Sequence, residues 1–260
     1  MKKKIFYSKI ALAFLFICFT WTTSAYAQNS SINNGLNWLF ANQNIDGSWG
    51  LQGNLTLVNT TEVMDTLRYL GYTGTSYTEG VNWASSYTAT STDEIARATI
   101  SLSNDGLSVT TSIDILTGYM NLDNGWGIGA GFSSDTLDTA LALSALKSVN
   151  YSNQTTISNA VLYLVTNQNS DGGWGFYAGD DSNVYMTTMV SSTLEQFQGS
   201  GQGQALPLQE AINYITKTQF SDGSWNEDAY STAHKKIFLT LQILLVNQYL
   251  IRRVNEDRFS

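Results

Sequence analysis

Gln168-Asn169-Ser170-Asp171-Gly172-Gly173-Trp174 decides the fold, because the chain repeats it. Gln43-Asn44-Ile45-Asp46-Gly47-Ser48-Trp49 is a second copy, Gln219-Phe220-Ser221-Asp222-Gly223-Ser224-Trp225 a third, and Asn121-Leu122-Asp123-Asn124-Gly125-Trp126 a weaker fourth. Each copy follows one helix-like stretch and precedes another. A phrase recurring in this way marks a supersecondary unit stacked several times over.

The stretches before the phrase are amphipathic. Ile32, Leu36, Leu39 and Phe40 recur at spacings of three and four, as do Ile157, Val161, Leu164 and Val165, and Leu208, Ala211, Ile212 and Ile215. That spacing gives a helix with one apolar face. Ser30 and Thr155 suit its N-caps, and the Asp-Gly of the phrase is expected to stop it, since glycine accepts the left-handed backbone of a helix end. The stretches after the phrase are small and apolar on most faces. Asp138 to Leu146, Met64-Asp65-Thr66-Leu67 onward, Ala96 to Leu102 and Val184 to Leu194 are of this type, which predicts enclosed helices. The expected architecture is therefore all-α, with an outer amphipathic and an inner buried helix in each of about five hairpins, near residues 31–72, 77–103, 109–149, 155–197 and 206–250. The second hairpin has lost its phrase. Gly199 to Gln204 is a Gly- and Gln-rich loop, and Pro207 stands at the start of the fifth outer helix, where its missing N–H costs nothing.

The first 27 residues read as a secretory signal peptide. Lys2, Lys3, Lys4 and Lys9 precede an apolar run from Ile10 to Phe19, and Ala25-Tyr26-Ala27 places small residues where a signal peptidase reads. The run is too short for a membrane span, and Ile17 before Cys18 argues against a lipid anchor. Cleavage removes four lysines and no acid, so 13 basic and 21 acidic residues become 9 and 21. A net charge of −12 disfavours nucleic acid and anionic membranes as partners. It also removes the single cysteine, and with it any disulfide, thiolate zinc site or cysteine nucleophile. The expected division is 1–27 signal peptide, 28–250 repeat domain and 251–260 C-terminal tail. The mature protein is then extracytoplasmic, secreted or periplasmic, with no stable membrane span.

The Gln-x-x-Asp-Gly-Ser-Trp phrase between paired helices resembles the repeat of the squalene cyclase and protein prenyltransferase superfamily, over about residues 31–245. The resemblance implies an α/α toroid, inner helices ringing a cavity. It implies a stabilising role for the repeat: Gln43, Gln168 and Gln219 bond backbone at a helix end, and Trp49, Trp174 and Trp225 stack on a neighbour, with Trp126 their counterpart in the weaker copy.

Chemistry concentrates at Asp135-Thr136-Leu137-Asp138-Thr139-Ala140. Proton-donating cyclases of the superfamily carry Asp-x-Asp-Asp-Thr-Ala at the head of an inner helix. Leu137 replaces the Asp that donates the proton there, and a leucine has none to give. The remaining candidates for catalysis are Asp135 and Asp138. The structural reading competes. An acid or amide stands four residues before the matching helix position in every unit: Glu62, Asp93, Asp135, Asn183 and Asp228. Such residues cap or charge a first turn, stabilising by about 0.5–2 kcal/mol each.

If the inner helices run parallel, Glu62, Asp93, Asp135 and Asp228 rim one mouth of the toroid, with Asp180 and Asp181 on a nearby loop. Those six are the candidate ligand-binding residues. No metal or cofactor is expected. Asn42-x-Asn44-x-Asp46-Gly47 and Asn167-x-Asn169-x-Asp171-Gly172 resemble the start of an EF-hand loop, but Gly53 and Ala178 stand where its bidentate Glu belongs. His234, the one histidine, reads as structural. The functional expectation is an exported toroid that binds an unidentified ligand in its cavity as a recognition module, without the cyclase proton donor. The alternative is a terpenoid cyclase- or prenyltransferase-like enzyme acting on an isoprenoid there.

Overall fold

The structure is a computed structural model that describes residues 32–51, 53, 55–197, 205–221 and 225. Its helices alternate along the chain: α1 (32–41), α2 (Thr56–Tyr69), α3 (Thr75–Ser86), α4 (Thr92–Asn104), α5 (Thr110–Tyr119), α6 (Thr136–Ser148), α7 (Gln154–Thr166), α8 (Val184–Glu195) and α9 (Ala205–Thr218). Among the described residues there is no strand, only isolated bridges such as Gln43 to Trp49 and Trp174 to Asn183. The fold class is thus all-α, with four outer–inner pairs in sequence and the outer helix of a fifth. The expected fifth inner helix lies outside the described residues, as do the leader, Asp228 and His234.

The chain divides into two compact units, Met1–Trp83 and Ala84–Ser260. In the first, α2 buries Leu57, Met64 and Leu67 together with Thr56, Thr60 and Thr61. Gly80 of α3 lies beneath the Trp49 ring, where an added Cβ would stand 2.6 Å from it. In the second, α4, α6 and α8 pack side by side, with α5 and α7 against α6 and α9 against α8. Helix α6 is enclosed by this set. Its run from Thr136 to Leu146 is buried at every position except Leu137 and Ser144. Alanines at 140, 142 and 145 let neighbouring backbones close in, so Thr193 Oγ1 of α8 reaches the Ala140 carbonyl at 3.2 Å.

Three local expectations are corrected. Helix α2 begins at Thr56, eight residues before the apolar run at Met64. Its threonines are poor helix formers, but Thr61 Oγ1 donates to the Leu57 carbonyl at 3.0 Å, so the hydroxyl is satisfied inside the helix. Asn153, not Thr155, caps α7; its side chain accepts from the Thr155 and Thr156 N–H groups. The Asp-Gly of the phrase does not stop the outer helix either. Helix α7 ends at Thr166, and Gly172, at φ +90°, turns the chain six residues later. Left-handed stops occur instead at inner helices. Gly71 and Asn150 have φ of 72° and 51°, and the next N–H returns to Leu67 and Leu146 carbonyls respectively.

Candidate functional site

The repeated phrase places its Trp in the same way each time. Its Trp indole N–H donates to the carbonyl of Leu39, Leu116, Leu164 or Ile215, at 2.8, 2.6, 2.8 and 2.7 Å for Trp49, Trp126, Trp174 and Trp225. All four acceptors belong to the last turn of an outer helix, whose carbonyls have no partner within the helix. The indole therefore caps the outer helix that precedes it while filling the core; Trp126 and Trp174 are wholly buried. The Trp backbone N–H is held by a threonine of the following inner helix: Thr60, Thr139 and Thr187, at 3.0, 2.9 and 3.0 Å.

Gln43 Nε2 donates to Gly47 and Ser76 carbonyls, and Gln168 Nε2 to Gly172 and Pro207 carbonyls, each at 2.8 Å. Ser76 and Pro207 lie in the first turn of the next outer helix, so the Gln joins one hairpin to the next. Gly47 and Gly172 permit that contact, since an added Cβ would meet the Glu79 or Glu210 carbonyl oxygen at 2.6 or 2.5 Å. The third unit solves the problem differently. Met120 replaces the Gln, Asn124 adopts φ +69° in the Gly position, and Asn124 Oδ1 accepts from Asn159 Nδ2 of α7 at 3.3 Å. Gln219 stands at the head of the last turn, whose residues 222–224 are outside the described set.

The threonine anchors fix the register of the inner helices. They align Thr60 with Thr139 and Thr187, so Glu62 lies past that position, near the middle of α2, and not in its first turn. In α4 the N-cap is Ser91, whose side chain accepts from the Glu94 N–H in a full capping box. Asp93 therefore aligns with Leu137 and not with Asp135. A spacing of 13 residues from Trp to Thr in both later copies carried this register in the sequence, and the helix-head acids drew attention away from it.

The head of α6 brings Asp135 and Asp138 together, with Asp93 of α4 close by. Asp135 is the N-cap; its carboxylate accepts the Asp138 N–H at 2.8 Å. Both acids are almost completely buried, 2% and 4% exposed. Asp138 Oδ1 is buried with no hydrogen-bond partner. Burial pushes the Asp138 carboxyl up to about 8, with the Asp135 charge and then the Asp93 charge adding to it; burial also raises Asp135. Asp93 is half-buried and pairs with Arg97 at 2.5 Å. Leu137, between the two acids in sequence, is partly buried.

The loops after each Trp fold over these helix heads. Thr92 N–H and Oγ1 donate to the Ile128 and Gly127 carbonyls at 2.9 and 2.6 Å, and Thr136 does the same to Phe176 and Gly175, at 2.9 and 2.6 Å. Asp180 and Asp181 sit on the second of these loops and are exposed. The Asp180 carboxylate accepts the Tyr177 N–H at 3.0 Å, and Asn169 Nδ2 fixes its carbonyl at 2.8 Å. Elsewhere in the second unit, a cleft of about 450 Å³ opens between the end of α3, α4 and α5, lined by Ala, Ser, Thr, Tyr and aliphatic side chains. Among the described residues no three His, Cys, Asp or Glu side chains converge as metal ligands do.

Comparison with known proteins agrees with this arrangement. The sequence pattern of the squalene-hopene cyclase C-terminal domain matches residues 125–249. A crystal structure of a protein from Actinoplanes superposes with a TM-score of 0.65 at 15% identity, over 87% of this chain and 85% of that one. Candida albicans protein geranylgeranyltransferase-I, in complex with GGPP, superposes with a TM-score of 0.50 at 16% identity, over 62% of this chain and 49% of that one. This chain thus matches about half the length of the transferase chain. No curated protein matches the sequence. The outer–inner helix pairs and the superpositions together give the chain an α/α-toroid fold, and residues 125–249 resemble the squalene-hopene cyclase C-terminal domain in sequence.

Proposed function

We propose that this is an exported α/α-toroid protein that binds a ligand as a recognition module, and that it does not work as a proton-donating cyclase. One observation carries the second half. At the helix head where the family resemblance expects three acids, Leu137 holds the middle position and Asp135 is committed to capping α6. The acids left at this head are packed away from solvent, so a substrate alkene has no exposed acid to meet. Export is supported by the basic, apolar and small-residue sequence of the first 27 residues. Among the described residues no helix is long and apolar enough to cross a membrane. The ligand class that the comparison favours is an isoprenoid, from the GGPP of the fungal transferase.

Intact-mass analysis of the extracytoplasmic fraction tests export; a chain retaining residues 1–27 overturns it. Native mass spectrometry of that protein tests ligand binding, with an adduct expected that survives buffer exchange and leaves on denaturation. A second reading, an isoprenoid-converting enzyme using Asp135 and Asp138, draws on the proton that burial keeps on Asp138 near neutral pH. Incubation with squalene and with geranylgeranyl diphosphate separates the two. Product formation abolished in Asp138→Ala establishes the enzyme; unchanged substrate in both proteins leaves the binding module.

A further inference from the structure

We propose that Asp138, with Asp135 and Asp93, forms a proton-holding latch that keeps the head of α6 closed and releases the loops folded over it when the proton is lost. The proposal does not depend on the ligand or on the activity.

The geometry carries it. Asp138 Oδ1 lies in the protein interior with no donor to meet it. A carboxylate there would leave a full charge unsolvated and unpaired, at a cost that proteins avoid by keeping the group neutral. The Asp93 backbone N–H of α4 favours the carboxylate, but burial and the Asp135 charge outweigh it. Helix α4 offers Arg97, already engaged with Asp93, and Glu94, taken by Tyr87, Thr90 and the Ser91 N–H. Helix α7 offers Tyr163, which burial and the charges of Asp123 and Asp135 push up to about 12, so it stays neutral. Helix α8 contains Tyr185 and, at its far end, Glu195; helix α5 contains Asp114 and Tyr119. The near charges are thus carboxylates, and the one nearby cation has its partner.

When the Asp138 proton leaves, two negative charges face each other inside a dry site. Water reaches them most directly if the overlying loops lift. Those loops, 127–134 and 175–182, hold the α4 and α6 heads through Thr92 and Thr136. Deprotonation therefore favours an open state in which both loops detach and the helix heads are wet.

The sign follows from linkage. The closed state binds the Asp138 proton more tightly than an open or unfolded state does. Its stability is complete below the ordinary value of 3.8 and declines as pH rises towards about 8. Between those limits the opening constant grows by up to about tenfold per pH unit.

The test follows hydrogen exchange of the full chain by mass spectrometry from pH 5 to pH 9, corrected for the intrinsic rate, in wild type and in Asp138→Asn. An amide at 138 cannot ionise, and it approximates the shape of the protonated acid. Expected is a loss of protection in 127–134 and 175–182 of at least about tenfold in wild type, with no such loss in the variant. Parallel profiles overturn the latch. If Asp138→Asn does not fold, calorimetric unfolding of wild type near pH 7 in buffers of different ionisation enthalpy decides. Release of about one proton per molecule supports the latch, and no release refutes it.

Discussion

Trp174→Ala is the sharpest test of how the repeat works. The indole is wholly buried, caps the end of α7 through Leu164 at 2.8 Å, and belongs to the core that includes α6 and α8. Truncating a buried aromatic to alanine costs about 3–5 kcal/mol through lost transfer energy and a residual cavity. The Leu164 carbonyl also loses its donor, and water admitted through the cavity offsets only part of that. For a chain of this length, each kcal/mol lowers Tm by about 2–4 °C, so a fall of about 6–20 °C is expected for the second unit. Trp38→Ala is the internal control. That indole is more than half exposed, at 58%, and its removal should shift Tm by no more than a degree or two. Scanning calorimetry on both variants and the parent provides the reading. A Trp174→Ala transition within 2 °C of the parent would refute the capping and packing argument for all four turns, because their geometry is shared.

Further predictions follow the same contacts. Gln168→Met copies what the third unit does at Met120 but without the accompanying Asn124–Asn159 bond, so the Pro207 and Gly172 carbonyls lose a donor; urea denaturation should show a loss of about 1–3 kcal/mol. Gly172→Ala puts a Cβ 2.5 Å from the Glu210 carbonyl oxygen at φ +90°, and its cost should exceed the about 1 kcal/mol of a helix-interior Gly–Ala exchange, with reduced soluble yield as the first sign. Hydrogen bonds from Thr90, Tyr87 and Ser91 outweigh burial and hold the Glu94 carboxyl below its ordinary 4.5. Its share of stability is present above that value and lost as pH falls through the lower folded one, so thermal melts on acidification should fall more steeply in wild type than in Glu94→Gln. Asp135→Asn keeps a capping side chain, as Asn183 does in the next unit, but removes a charge beside Asp138. The loss of loop protection between pH 5 and pH 9, read by hydrogen exchange, should then shrink.

The fold was legible because its signal is redundant. Any one Asp-Gly-Trp turn is an ordinary loop, but repetition between amphipathic and all-apolar stretches leaves one kind of architecture. The boundaries were less so. Thr56 to Met64 resists recognition because buried threonines look polar in sequence, and only the bond from Thr61 to the Leu57 carbonyl shows how the helix accommodates them. Asn150 likewise conceals a helix stop, since its positive φ is a property of glycine in most sequences. At the candidate site, Asp135 and Asp138 stand out in the sequence, but their environment does not. Whether Asp135 and Asp138 rim an opening or lie beneath a lid depends on where the 127–134 and 175–182 loops land, and those contacts span 35 to 40 residues of sequence. No local pattern carries that information.

The third unit joins these threads. It has given up the Gln that ties other hairpins to the next outer helix, and it tolerates an Asn at the Gly position by reaching across to Asn159. The same unit carries the acid pair. Its turn is built from parts that also touch the site: Asp123 Oδ1 accepts from Gly125 N–H and Ser134 Oγ at 3.0 and 2.7 Å, Ser134 directly precedes Asp135, and Thr139 of the acid motif holds the Trp126 N–H. Packing and titration are therefore coupled in one place. A change that loosens the Trp126 turn displaces the Thr139 anchor one helical turn from Asp135, admits water to Asp138 and lowers its proton affinity. Asn124→Gly should show this coupling. It restores the residue of the other copies but removes the Asn159 bond, so with Met120 still in place the turn is held by less than either design provides. The expected result is a small loss of stability together with a smaller loss of loop protection between pH 5 and pH 9; stability loss with an unchanged pH profile would separate the turn from the latch.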